Sequence, residues 1–119
     1  MTATSSLLGS LFGEPACDAL FDDAARVQAM LAFESALARA QAKCGVIPAE
    51  AAQAIAVACD VQHYDLAALA QATALAGNPA IPLVKALTAR VAEHDAQAAR
   101  WVHWGATSQD VIDTGTVLQ

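Results

Sequence analysis

At 119 residues the chain is the size of one ordinary domain. Its formal net charge is −6, and its six basic residues, Arg26, Arg39, Lys43, Lys85, Arg90 and Arg100, are scattered, so no basic patch is available for a nucleic-acid partner. It is 56% hydrophobic but only 5% aromatic, alanine dominates, and no stretch alternates apolar and polar residues as a half-buried strand does, so an all-α fold is expected. Cys17, Cys44 and Cys59 are odd in number and irregularly spaced, which suggests neither a disulfide framework nor a metal site and predicts buried free thiols. The start lacks the pattern of a signal peptide and no apolar run is long enough to span a bilayer. A cytoplasmic protein without a membrane partner is expected.

Residues 1–21 open on a Ser/Thr-rich stretch and contain Gly9, Gly13 and Pro15, which predicts an irregular arm with at most a short turn of helix, of the kind that packs on a neighbour. Asp22 or Asp23 can cap a helix carrying Val27, Met30, Leu31, Phe33, Leu37 and Ala40 at three- and four-residue steps, with Lys43 in its last turn and Gly45 ending it. Pro48 at a first helical position starts a second amphipathic segment, through Ala52, Ile55 and Ala56 to about Cys59. A third helix is predicted from Asp65 to Gly77, where Gly77-Asn78-Pro79 breaks it. After Pro82 a longer helix carries Leu83, Leu87 and Val91 and runs on to Ala98 or Ala99, and a last helical pattern begins at Asp110.

The chemistry-bearing residues concentrate between Arg100 and Asp110, where both tryptophans, His103 and a hydroxyl pair fall in eleven positions. Thr107-Ser108-Gln109-Asp110 has the form of an acidic capping box, which alone explains the residue types. The same helix N-terminus also offers amides and hydroxyls to a carboxylate ligand. A turn at Gly105 can bring the His103 imidazole beside those hydroxyls and complete a carboxylate clamp. Spacing alone favours the plainer alternative, a half-buried histidine packed between Trp101 and Trp104 and bonded to a carbonyl. Asn78 sits in a proline-rich loop where its side chain can face a ligand or simply make turn chemistry. Glu34 lies near the apolar face of the first strong helix and reads as a partner for Arg26 or Arg39 ahead of a general base. His63 and His94 read as surface residues.

Residues His103-Trp104-Gly105-Ala106-Thr107-Ser108-Gln109-Asp110-Val111-Ile112-Asp113-Thr114 closely resemble the first conserved region of the fumarase/aspartase superfamily. The segment is nearest the lineage shared by adenylosuccinate lyase and the cycloisomerases. The loop from Gly77 to Lys85 lacks the histidine usual in the purine enzyme and resembles the cycloisomerase version. The resemblance implies an N-terminal helical domain over residues 1–107, with residues 108–119 beginning the first long helix of a truncated central bundle. It implies a reversible lactonisation of a small tricarboxylate in aromatic catabolism. His103 would bind a substrate carboxylate, Thr107 and Ser108 would donate hydroxyl or amide hydrogens, Gln109 would add an amide donor, and Asp110 would orient the loop, with Asn78 counted among the substrate-binding residues. No metal and no organic cofactor is implied, and a homotetramer is. Two further family regions, including the usual general acid or base, are absent, so no catalytic residue is certain and the piece is expected to be inactive alone, with its last helix pairing with another chain or fraying. The competing expectation is a short non-enzymatic helical module that binds an anionic metabolite or a partner helix through residues 101–110.

Overall fold

The computed structural model describes residues 6–119; the first five residues of the predicted arm lie outside them. Seven α-helices follow one another with no strand among the described residues, as the composition predicts: α1 (Ser6–Phe12), α2 (Pro15–Leu20), α3 (Asp23–Lys43), α4 (Ala49–Ala58), α5 (Leu66–Ala76), α6 (Ala80–Ala92) and α7 (Ser108–Leu118). Short 3-10 turns span Val61–His63 and Ala98–Trp101. The arm is more helical than expected. Pro15 stands at the start of α2 and the Glu14 side chain accepts from Cys17 N at 2.8 Å, so the proline that looked like a breaker begins a helix instead.

The longest helix, α3, is the spine of the molecule. The Asp22 carboxylate caps it by accepting from Ala25 N at 2.7 Å, and the chain leaves it through Gly45, whose φ of +71° favours glycine. Helices α4 and α7 both pack on α3, so their positions, and not its own polarity pattern, set its buried stripe. That stripe is Val27, Met30, Leu31, Glu34, Ser35 and Ala38. Of the residues predicted for the same face, Phe33 and Leu37 are half-buried and Ala40 is exposed.

The core is closed by Ile47, Ala51, Ala52 and Ile55 on and before α4, by Leu83, Leu87 and Val91 on α6, by Ala98 and Ala99, and by Val111 on α7. Alanine recurs there because it lets helix backbones approach closely without leaving voids. Gln28 ties the end of α4 to α3 by donating to Cys59 O at 3.3 Å and accepting from Val61 N at 2.9 Å.

Several local expectations need correction. Pro48 is the cap of α4 rather than its first residue. Helix α6 starts at Ala80, ahead of Pro82, because the Asn78 side-chain oxygen accepts from Ala80 N at 3.0 Å and Ile81 N at 3.1 Å; Pro82 falls in the first turn, where its missing N–H costs nothing. The same helix stops at Ala92 rather than reaching Ala98. Cys17 and Cys44 are exposed, and Cys59 alone among the three thiols is buried. The last helix is docked along one side: Val111 and Gly115 are buried, and Gly115 lies so close to α3 that an added Cβ would meet Met30 Cγ at 2.9 Å. Val117 and Leu118, further along, are exposed.

Candidate functional site

The segment between the Ala98–Trp101 turn and α7 is held by three sets of contacts. Trp101 and Trp104 meet edge to face with ring centres 4.8 Å apart. Gln41 of α3 donates to Trp104 O at 2.6 Å. His103 Nδ1 lies 2.6 Å from Glu34 Oε1. To make that last contact the backbone enters the left-handed region at His103, φ +57°, and again at Gly105, φ +73°. For a residue with a side chain this conformation is uncommon and costs energy, so surrounding contacts must impose it.

Glu34 is buried completely, its side chain 0% exposed against 16% for His103. Burial holds its carboxyl above the ordinary range, while the hydrogen bond and charge of His103 pull it part of the way back. Its second oxygen, Oε2, is buried without a partner. The expected partners Arg26 and Arg39 make no ion pair with it; both are exposed. The carboxylate expected to be structural is thus joined to the histidine expected to be functional. A lone acid on a mostly apolar helix stripe was the available signal, but the sequence does not say which partner comes to it.

At the head of α7, Thr107 N donates to Asp110 Oδ2 at 2.7 Å and Thr107 Oγ1 lies 3.1 Å from the same oxygen, so the capping box forms as read from the sequence. Ser108 begins the helix half-buried, and the Gln109 amide donates to Asp113 Oδ1 at 2.6 Å on the exposed face. The structure therefore brings His103, Thr107, Ser108 and Gln109 into one short stretch, with the histidine turned inward to Glu34 and not bonded to the hydroxyls. Asn78 is elsewhere, spent on capping α6, and no hydrogen bond among the described residues joins it to His103.

Beside this stretch a cleft of about 490 Å³ opens between α3 and α7, lined by Phe33, Leu37, Gln41, Trp104, Asp110 and Thr114 among others. His63 and His94 are exposed, as expected. No group of three or more His, Cys, Asp or Glu residues among the described residues could hold a metal ion. No helix among them is long and apolar enough to cross a membrane.

The sequence model of the lyase family matches residues 14–119, and the chain belongs to that family. It is 59% identical to the 3-carboxy-cis,cis-muconate cycloisomerase of Bradyrhizobium diazoefficiens, over 98% of this chain and 26% of that protein. The solved structure of the 3-carboxy-cis,cis-muconate lactonizing enzyme of Pseudomonas putida superposes with a TM-score of 0.90 at 53% identity, covering 94% of this chain and 26% of the other. A nitrosuccinate lyase from Streptomyces davaonensis is 46% identical over 96% of this chain and 24% of its own length. The chain thus spans about a quarter of the length of these relatives. The superfamily resemblance carried by residues 103–114 and the all-α fold are both confirmed.

Proposed function

We propose that the full-length gene product is a 3-carboxy-cis,cis-muconate cycloisomerase, interconverting its substrate with 4-carboxymuconolactone in protocatechuate breakdown by the β-ketoadipate pathway. The observation that carries this reading is the 59% identity to a cycloisomerase across 98% of the chain, including the segment that forms the candidate site. In the forward reaction one substrate carboxylate adds through oxygen to a carbon of the conjugated double bond. The C–O bond forms as the π pair moves toward a second carboxylate, which becomes an aci-carboxylate, and a proton then adds at the adjacent carbon. Donors aimed at the growing charge are what lower this barrier.

His103 is assigned to a substrate carboxylate. Thr107 and Ser108 supply hydroxyl or amide donors at the positive end of α7, and Gln109 supplies an amide once it leaves Asp113. Asp110 orients the loop by fixing the Thr107 backbone. Asn78 joins the substrate-binding set only if another element comes to its loop. The reading extends to a cytoplasmic homotetramer acting on a free tricarboxylate, with residues 108–119 entering its central bundle.

The test is an ultraviolet assay of the full-length gene product with 3-carboxy-cis,cis-muconate, alongside His103→Ala and Ser108→Ala. The conjugated-diene absorbance falls with the parent, and each variant loses on the order of 100-fold in rate. A parent that leaves the substrate untouched overturns the assignment, and adenylosuccinate becomes the next substrate to try.

A further inference from the structure

We propose that Glu34 is a positioning residue for His103: its carboxylate accepts the Nδ1 proton and turns Nε2 outward, where it meets a carboxylate of the bound substrate. This rests on the reading of His103 as a carboxylate ligand.

Three observations carry it. Glu34 is 1% exposed, and its only ion-pair partner among the described residues is His103. A carboxylate so placed costs more stability than an apolar side chain of the same volume would, the more so because Oε2 has no partner. The cost is met again on the other side of the contact, where His103 holds a left-handed backbone, φ +57°. Two unfavourable features converge on one 2.6 Å contact, an arrangement that packing alone would relax by an ordinary Leu or Met at position 34. Finally, His103 Nε2 makes no hydrogen bond among the described residues and is not among the buried unpartnered atoms, so that nitrogen reaches the surface.

The chemistry follows from the ring's two nitrogens. With Nδ1–H directed at Glu34, Nε2 is the atom left for a ligand. A ligand carboxylate on Nε2 needs a donor there too, so the bound ring carries protons on both nitrogens. The resulting imidazolium then lies between the substrate carboxylate and Glu34, whose buried negative charge offsets it. Fixing the ring before the anion arrives also lowers the ordering cost of binding.

The test uses protein labelled with 15N at its three histidines, with His103 assigned by its loss in His103→Ala, and steady-state kinetics of the full-length gene product. In the wild type the neutral ring keeps its proton on Nδ1. In Glu34→Met the neutral ring moves to the Nε2–H tautomer, KM rises about tenfold or more, and kcat changes little. Glu34→Gln, which keeps an acceptor but not the charge, retains the Nδ1 proton and recovers part of the lost affinity. In a His103→Ala background Glu34→Met changes KM less than about twofold, because the pair acts as a unit. The proposal falls if the neutral wild-type ring carries its proton on Nε2, or if Glu34→Met raises KM as much without His103 as with it, the pattern of a merely structural residue. An unchanged KM in His103→Ala alone sinks the carboxylate-ligand reading and this proposal with it, whereas the two former outcomes sink only the role of Glu34.

Discussion

The carboxyl of Glu34 is held above its ordinary value of 4.5 chiefly by burial, with His103 opposing the shift. For an acid raised on folding, the native state keeps its proton over a range where the unfolded chain has lost it. The stability this contributes is fully present below the unfolded value and is lost as pH rises through the folded one. Glu34→Gln removes the titration while keeping an acceptor for His103 Nδ1. Wild type should therefore lose stability relative to Glu34→Gln as pH rises from about 4.5, by at most about 1.4 kcal/mol per pH unit within the window. Denaturant unfolding of the two proteins at several pH values measures the difference. A constant difference over that range would show that burial is not what shifts the group.

The thiols give a second test at the same scale. Burial, with the charge of Glu34 adding and that of Arg39 opposing, pushes the Cys59 thiol up to about 12, while Cys17 and Cys44 are exposed. Two thiols should react quickly with a disulfide reagent at pH 8 and the third about 100-fold more slowly, since the thiolate is the nucleophile. Three fast thiols would mean that the end of α4 opens. None of this was visible in the sequence. The three cysteines looked alike there because burial is decided by which helix covers which, and Glu34 was visible only as an acid on an apolar stripe. His103, Thr107 and Asp110 were legible because capping chemistry and a composition break act locally, whereas the Glu34–His103 contact spans 69 positions.

At the scale of elements, several capping residues were read better than helix faces. Asp22, Asp65, Gly45, Gly77 and the Thr107–Asp110 pair all act where their residue types predict. The start of α6 was missed because Asn78 was read as a loop residue instead of a cap, and the α3 stripe was misplaced because two neighbours decide it. The approach of α7 to α3 could not be read at all, yet it makes a firm prediction. An added Cβ at Gly115 meets Met30 Cγ at 2.9 Å and Met30 N at 3.4 Å. Alanine there gains about 1 kcal/mol of helix propensity and loses a similar amount to the clash. Gly115→Leu, with three more carbons to place, should destabilise by roughly 1–3 kcal/mol, and Met30→Ala should recover part of that loss. A neutral Gly115→Leu in thermal unfolding would mean that α7 is not seated on α3 in solution.

For the whole molecule the consequence of one alanine-rich core is that few large side chains hold many helices. Leu31, Ile55, Leu83, Leu87, Val91 and Val111 are each less than 2% exposed, and they come from α3, α4, α6 and α7. The Ala98–Trp101 turn packs on α4 and α6, so Trp101 reports on that same core. Loss of any one large residue should be felt everywhere at once. Leu87 is 0% exposed, and Leu87→Ala should cost about 2–5 kcal/mol, a large share of the roughly 5–15 kcal/mol that holds a domain together. Because the core is rich in alanine, which has no longer rotamers with which to fill a void, the value should fall in the upper half of that range. Unfolding followed by helical circular dichroism and by tryptophan fluorescence should give coincident transitions in both wild type and variant. A fluorescence transition that precedes the loss of helix would show that residues 101–110 come away from the core as a separate unit, and that the strained His103 backbone is released before the spine that holds Glu34 gives way.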